Sequence, residues 1–242
     1  MKRQKVRKLV LLISLLLFPI TIYYFSPYLI IQGALESVIS GSFIVFGLML
    51  ILSVFLGRSF CSYVCPAGAL QEASFSFNDK PSKIGKRRYI KYVIWGIWIL
   101  SVAFCFWRSG GIKKVDPLYM TEYGISIAEP GAYILYYGFI GLILLPSLIC
   151  GKRAFCHYFC WMAPFMVIGT KIRDQLHLPG LHIEADSNQC ISCNKCSKSC
   201  PMSLDVAKMV KKEECQDSEC ILCGVCVDTC PKNVLKYKIK SK

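Results

Sequence analysis

Histidine is scarce, and what there is stands in the wrong places for haem. The three histidines are His157, His177 and His182. All lie outside the long apolar runs, so the paired imidazoles of a membrane haem protein are missing, and without a C-x-x-C-H there is no covalent haem attachment. The apolar runs carry no acidic, basic or histidine side chain, which excludes an ion or proton path through this chain by itself; coupling to energy would belong to a partner. No A-x-A-like cleavage site follows Phe25, where Ser26, Pro27 and Tyr28 stand instead, so the basic start and first apolar stretch read as a membrane segment and not a removed leader. Acidic residues are few: 15 Asp and Glu face 29 Lys and Arg, giving a net charge of +14.

Apolar side chains are abundant. Of 242 residues 54% are hydrophobic, and the mean hydropathy is +0.45. A soluble domain of this size rarely combines that with so much positive charge, and the combination points to a membrane protein with basic flanks. Four runs approach the length of a bilayer core: Leu9 to Phe25, Val38 to Leu56, Tyr92 to Trp107 and Ala132 to Ile149. They predict four transmembrane helices, the first kinked at Pro19. Lys2, Arg3, Lys5, Arg7 and Lys8 precede the first, and Arg58, Lys80, Lys83, Lys86, Arg87, Arg88 and Lys91 lie between the second and third. The positive-inside rule turns these stretches and both termini to the cytoplasm and the other two loops outward, as expected of a multi-pass protein of the inner membrane. Residues 1–170 hold 17 Lys and Arg against 6 Asp and Glu. Basic groups at the ends of apolar runs are placed to meet anionic membrane lipid, and no nucleic acid is expected as a partner.

Fifteen cysteines would suggest disulfides in a small secreted chain, but eight of them fall in metal-type spacings, which favours a reduced, cytosolic setting. CISCNKCSKSCP begins at Cys190 and CILCGVCVDTCP at Cys220, two copies of C-x2-C-x2-C-x3-C-P. The x2 gaps let successive sulfurs converge on different irons of a cubane, and the proline stops the helix that would otherwise begin. C-x2-C pairs also build zinc knuckles, but a doubled run with both prolines argues against zinc. The end, Asn233 to Lys240, alternates in strand fashion. This stretch, roughly residues 181–240, resembles the dicluster bacterial ferredoxins. The resemblance implies two [4Fe–4S] clusters, one held by Cys190, Cys193, Cys196 and Cys230, the other by Cys200, Cys220, Cys223 and Cys226, in a small α+β fold. Cys215, outside both runs, reads as a bystander. The linker, residues 171–188, is short and should keep the clusters near the cytoplasmic face.

The apolar part contains a repeat. GRSFCSYVCPAG from Gly57 and GKRAFCHYFCWMAP from Gly151 match at Gly57/Gly151, Arg58 with Lys152 or Arg153, Phe60/Phe155, Cys61/Cys156, Tyr63/Tyr158 and Cys65/Cys160. Each follows a helical pair, so the unit is helix, helix, C-x3-C. Two units related by a pseudo-two-fold could converge Cys61, Cys65, Cys156 and Cys160 on one site. A further cluster or metal, a redox dithiol pair and plain packing thiols are the competing readings. Ser62 occupies the position matching His157, so His157 reads as a packed or interfacial residue; Cys105 and Cys150, unmatched in the repeat, read as buried packing cysteines.

On these motifs nearly the whole chain resembles the four-helix membrane ferredoxins of the periplasmic nitrate reductase accessory (NapH) type, with the related polyferredoxins of nitrous-oxide-reductase maturation and methylamine utilisation. The implied fold is an all-α membrane domain over residues 1–170, the linker at 171–188 and a dicluster ferredoxin domain over 189–242. The implied role is an electron-transfer subunit, not a stand-alone enzyme, working between a cytoplasmic redox partner and quinone or a membrane reductase. A redox-sensing or metalloenzyme-maturation role is the alternative. One departure stands out: Trp161 follows Cys160 where the family has proline. The helix is therefore expected to run on through AFCHYFCWMAPFMVIG along or into the interface, with Trp161 as an anchor.

Overall fold

A computed structural model describes residues 2–83, 85–212 and 217–241; Cys215 lies outside these. Helix α1, Lys2–Leu16, gives way to α2, Phe18–Thr21, and a 3-10 turn over Ile22–Phe25. Pro19 sits in the first turn of α2, where its missing N–H costs nothing. The two parts are bent by 62°, so the expected kink is a full break. Pro27 opens α3, Pro27–Leu35, an apolar helix within the stretch expected to be an outward loop. Strand β1, Val38–Ser40, follows, and Ser40 then caps α4, Gly41–Leu56, its hydroxyl accepting from the Phe43 amide. The run read as a second span therefore begins as strand.

Two short helices come next, α5 at Ser59–Tyr63 and α6 at Pro66–Ala73. Helix α7, Ile90–Arg108, leads to β2, Lys114–Asp116, which pairs in parallel with β1, so this half is mostly but not wholly helical. Helix α8, Ala132–Cys150, is followed by α9, Ala154–Tyr158, and α10, Ala163–Gln175. Among the described residues, two helices are long and apolar enough to cross a membrane, Lys86–Arg108 and Ala132–Cys150. The bent α1–α2 pair makes a third if taken as one span, and α4 is apolar but shorter. Helix α10 packs on α4, and α6 on α8. Each half of the repeat thus lays its last helix against the second helix of the other.

Strand β3, Gly180–Ala185, pairs antiparallel with β4, Leu235–Lys240. The stretch read as a linker therefore contributes a strand to the sheet beside the cysteine runs, and its first residues belong to α10. Between the strands lie α11 at Lys195–Lys198, α12 at Val206–Lys211 and α13 at Val225–Thr229. This module is fastened to the helical half. Arg3 pairs with Asp228, the Gln4 amide donates to the Cys223 carbonyl, and Lys152 donates to the Lys198 carbonyl.

Candidate metal centres

The module brings its eight cysteines together as two quartets, each taking three thiols from one run and the fourth from the other. Cys190, Cys193, Cys196 and Cys230 line one cavity with Val210, Pro231 and Leu235. Cys200, Cys220, Cys223 and Cys226 line a second with Ile183, Met202 and Ile221. The loops curl alike, with left-handed residues at matching places: Ser192 and Asn194 in the first run, Leu222 and Gly224 in the second. Backbone N–H groups reach the sulfurs, that of Leu222 to Cys220, of Val225 to Cys223 and of Ser197 to Cys196. Among the described residues no three His, Cys, Asp or Glu side chains converge tightly enough to hold one metal ion. Thiols set around a cavity, with amides aimed at them, suit a cluster better than a single zinc.

Burial is unequal. Cys193 is exposed and its three partners half-buried, whereas Cys200, Cys223 and Cys226 are buried. In the second quartet burial pushes the Cys220 thiol up to about 12 and Cys223 to about 11, against the pull of their amides. Such thiols do not ionise alone; a metal displaces their protons on binding.

The helical half gathers its four C-x3-C cysteines as well. Cys61 lies on α5, Cys65 precedes α6, Cys156 lies on α9 and Cys160 stands just before α10; all are buried. Cys65 lies within electrostatic reach of the other three, and Cys160 within reach of Cys61 and Cys156. Cys61 Sγ lies 3.8 Å from Met166 Sδ, and Gln71 Nε2 donates to Cys156 Sγ over 3.1 Å. Burial raises Cys61 and Cys65 and takes Cys160 to about 12.

Glycines make both turns possible. Gly57 and Gly151 end α4 and α8 at φ 57° and 100°, backbone that other residues reach only under strain. Arg58 and Arg153 come next, each preceding its short helix, so Arg153, and not Lys152, is the counterpart of Arg58. Both are fully buried, and each meets a carboxylate: Arg58 Nη1 donates to Glu219 over 2.8 Å and Arg153 Nη2 to Glu72 over 2.6 Å. Glu72 also takes both terminal nitrogens of Arg7, at 2.8 Å each, and Glu219 takes Lys91 at 2.6 Å. Burial alone would raise the Glu219 carboxyl, but the Arg58 and Lys91 charges prevail and hold it to about 2. Arg153 and Arg7 likewise outweigh burial and keep Glu72 below its ordinary value. Sequence reasoning passed over both carboxylates, and only the alignment of the repeat pointed at the arginines.

Three expectations need correcting. The helix does not run on past Cys160: α9 ends at Tyr158 and α10 starts at Ala163, with Pro164 in its first turn. Trp161 packs against the core. Its indole donates to the Phe25 carbonyl over 3.2 Å, and its ring packs edge-on against Phe139 and Phe155. Cys150 is exposed, on the outward side of α8, whereas Cys105 is half-buried and packs against the core from α7. His157 is fully buried with neither ring nitrogen bonded, and burial pushes it down to about 4, so the imidazole is neutral.

Two cysteine quartets lining cavities, beside a buried tetrad, are the donor sets an iron–sulfur protein would use. The comparisons agree. A model of a 4Fe-4S binding domain matches residues 40–86 and 132–179, and one of a 4Fe-4S dicluster domain matches 182–231. The chain is 24% identical over 196 residues to "Putative electron transport protein YccM" of Escherichia coli K12, covering 76% of this chain and 52% of that one. It is 27% identical over 181 residues to an uncharacterized protein of Methanocaldococcus jannaschii, covering 69% and 68% of the two chains. It is 24% identical over 192 residues to the methylamine utilization ferredoxin-type protein MauN of Paracoccus denitrificans, covering 77% and 64%. The chain thus spans about half the length of the first relative and about two thirds of the other two. No solved structure matches it. The chain thus resembles ferredoxin-type 4Fe-4S proteins over both its helical half and its cysteine-rich module.

Proposed function

We propose that this chain relays electrons between a cytoplasmic redox partner and either the quinone pool or a partner reductase in the inner membrane, as a subunit of a larger oxidoreductase system. Residues 1–170 form the membrane domain and residues 189–242 the cluster domain, with 171–188 joining them and lending β3. The membrane domain crosses the bilayer four times, at Lys86–Arg108, at Ala132–Cys150, at the bent α1–α2 pair and at α4, and both termini lie on the cytoplasmic side. The outer surface supports this reading. Leu100, Trp107, Ile134, Leu135 and Ile149 all point outward, a surface that lipid solvates and water does not.

Cys190, Cys193, Cys196 and Cys230 hold one [4Fe–4S] cluster, Cys200, Cys220, Cys223 and Cys226 the second, and Cys61, Cys65, Cys156 and Cys160 a further iron–sulfur centre. Such centres, when bound, supply one-electron carriers. The placement of the cysteines supports an order, and that order carries the reading. The exposed quartet faces a soluble partner. The buried quartet lies against the helical half, where Gln4 bonds the Cys223 carbonyl and Arg58 bonds Glu219, the neighbour of Cys220. The tetrad lies beyond, three residues along from Arg58. Iron and sulfide counts on anaerobically purified protein test this, comparing wild type with the variant in which all four tetrad cysteines become serine. The expected result is about twelve irons against about eight; equal counts would overturn the third centre.

A further inference from the structure

Arg58 and Arg153 are buried cations near the tetrad, at 1% and 0% exposure. Each stands three residues before the first cysteine of its C-x3-C. Neither is fully satisfied: Nε and Nη2 of Arg58 and Nε of Arg153 are buried without a hydrogen-bond partner. Orphaned donors on a buried guanidinium are costly, and a native structure keeps them where something accepts them. Both guanidiniums lie within electrostatic reach of Cys61 and Cys156. An iron–sulfur centre on four thiolates is net anionic and becomes more so on reduction, which is the acceptor these donors lack.

Their carboxylates differ in origin. Glu72 comes from α6, inside the helical half, and is shared with Arg7 of α1. Glu219 comes from the cluster module, is adjacent to Cys220 and is shared with Lys91 of α7. A side chain that faces the tetrad therefore holds, through one carboxylate, the backbone that carries a ligand of the second quartet. Arg58 Nη1 also donates to the Ser218 carbonyl over 3.2 Å, fixing the same strand of backbone twice.

We propose that Arg58 and Arg153 balance the charge of the tetrad centre and donate hydrogen bonds to it, and that the Arg58–Glu219 pair makes the second quartet the tetrad's redox neighbour. One electron lost at the centre on Cys220 is the electron gained at the centre on Cys61, or the reverse. This rests on the reading that the tetrad holds an iron–sulfur centre. Both arginines are positioning residues: they act on the potential and not on a substrate.

Charge balance has a sign, which a merely structural latch lacks. Losing a cation makes the reduced, more anionic state harder to reach, and losing an anion makes it easier. Arg58→Gln and Arg153→Gln should each lower the midpoint potential of the tetrad centre, and Glu219→Gln should raise it. Each change should alter the oxidised-to-reduced ratio about tenfold, which for one electron is about 59 mV. Arg58→Lys, keeping the charge, should recover most of the shift. The measurement is an EPR-monitored redox titration of the purified full chain, with iron counted on the same samples. If Arg58→Gln loses iron, Glu219→Gln and Arg58→Lys still read the effect. Retained iron with unmoved potentials, or shifts of the same sign in Arg58→Gln and Glu219→Gln, overturns the proposal. A wild type with only eight irons overturns the tetrad reading beneath it, and the iron count tells the two failures apart.

Discussion

The two C-x3-C segments reach one geometry from unequal sequences. In the first, Pro66 follows Cys65 at once and opens α6; in the second, Trp161 takes that place and the next helix opens two residues later, at Ala163 with Pro164. What the repeat preserves is a chain break after the second cysteine, set by a proline in the first turn of the following helix. The proline's exact neighbour is free to vary, and here the tryptophan fills space between Phe139 and Phe155. Charge separates the halves more deeply. Arg153 is answered from within the helical half by Glu72, and Arg58 from the cluster module by Glu219. The arginine of the second half closes the scaffold on itself, and that of the first ties it to the module.

The sharpest way to break this comparison is to disable one half at a time. If both segments serve one centre, changing Cys61 and Cys65 to serine should remove as much iron as changing Cys156 and Cys160, and as much as changing all four. The expected loss is about four irons in every case for a cubane. Half the loss from each pair, adding up in the quadruple variant, would mean two separate sites.

The quartets were legible in the sequence because their ligand spacing is local, and the strand at Leu235–Lys240 because alternation is. The tetrad was legible only through the repeat, which set Cys61 beside Cys156 although they are 95 positions apart. The buried ion pairs had no comparable signal. Arg58 and Glu219 are 161 residues apart, and nothing local in SEC at 218–220 marks its glutamate as the partner of a helix-end arginine. Helix α3 was missed because its 9 residues fall well short of a span, although the proline at its start is a helix-opening signal. The strand β1 was absorbed into an apolar run because three residues of strand leave no period to detect.

Removing the two carboxylates sharpens the contrast. Glu72→Ala leaves Arg7 and Arg153 uncompensated, and Glu219→Ala leaves Arg58 and Lys91. Each should cost about 3–5 kcal/mol, the usual result of breaking a buried pair. The consequences should differ in place: Glu219→Ala should expose the module's junction with the helices to limited proteolysis, and Glu72→Ala should loosen α1 and α6 with the module still cut no faster. The same pairs set a pH window. The Glu219 carboxyl is depressed to about 2 in the folded chain, so its contribution is complete above the ordinary carboxylate value near 4.3 and is lost as pH falls toward 2. The stability gap between wild type and Glu219→Gln should therefore close over that interval; a gap unchanged at pH 3 and below would show that the carboxylate does not carry it.

The smallest effect compares the glycines that end α4 and α8. Both hold positive φ, so alanine is strained at either. The surroundings decide the rest. A Cβ at position 57 would meet the Leu222 side chain at 2.8 Å, and a leucine tip can shift; a Cβ at position 151 would run into the Lys80 backbone carbonyl, which cannot give way without moving the loop. That carbonyl also accepts the Lys152 amide over 2.9 Å, so displacing it forfeits a hydrogen bond. Gly151→Ala should cost about 3 kcal/mol and Gly57→Ala about 1 kcal/mol, the two ends of the range for forced backbone strain. Denaturation midpoints in detergent would read the difference. Equal losses would mean that the contact of Gly57 with the module is as rigid as the contact of Gly151 within the scaffold, and that the first half of the repeat is no more adaptable than the second.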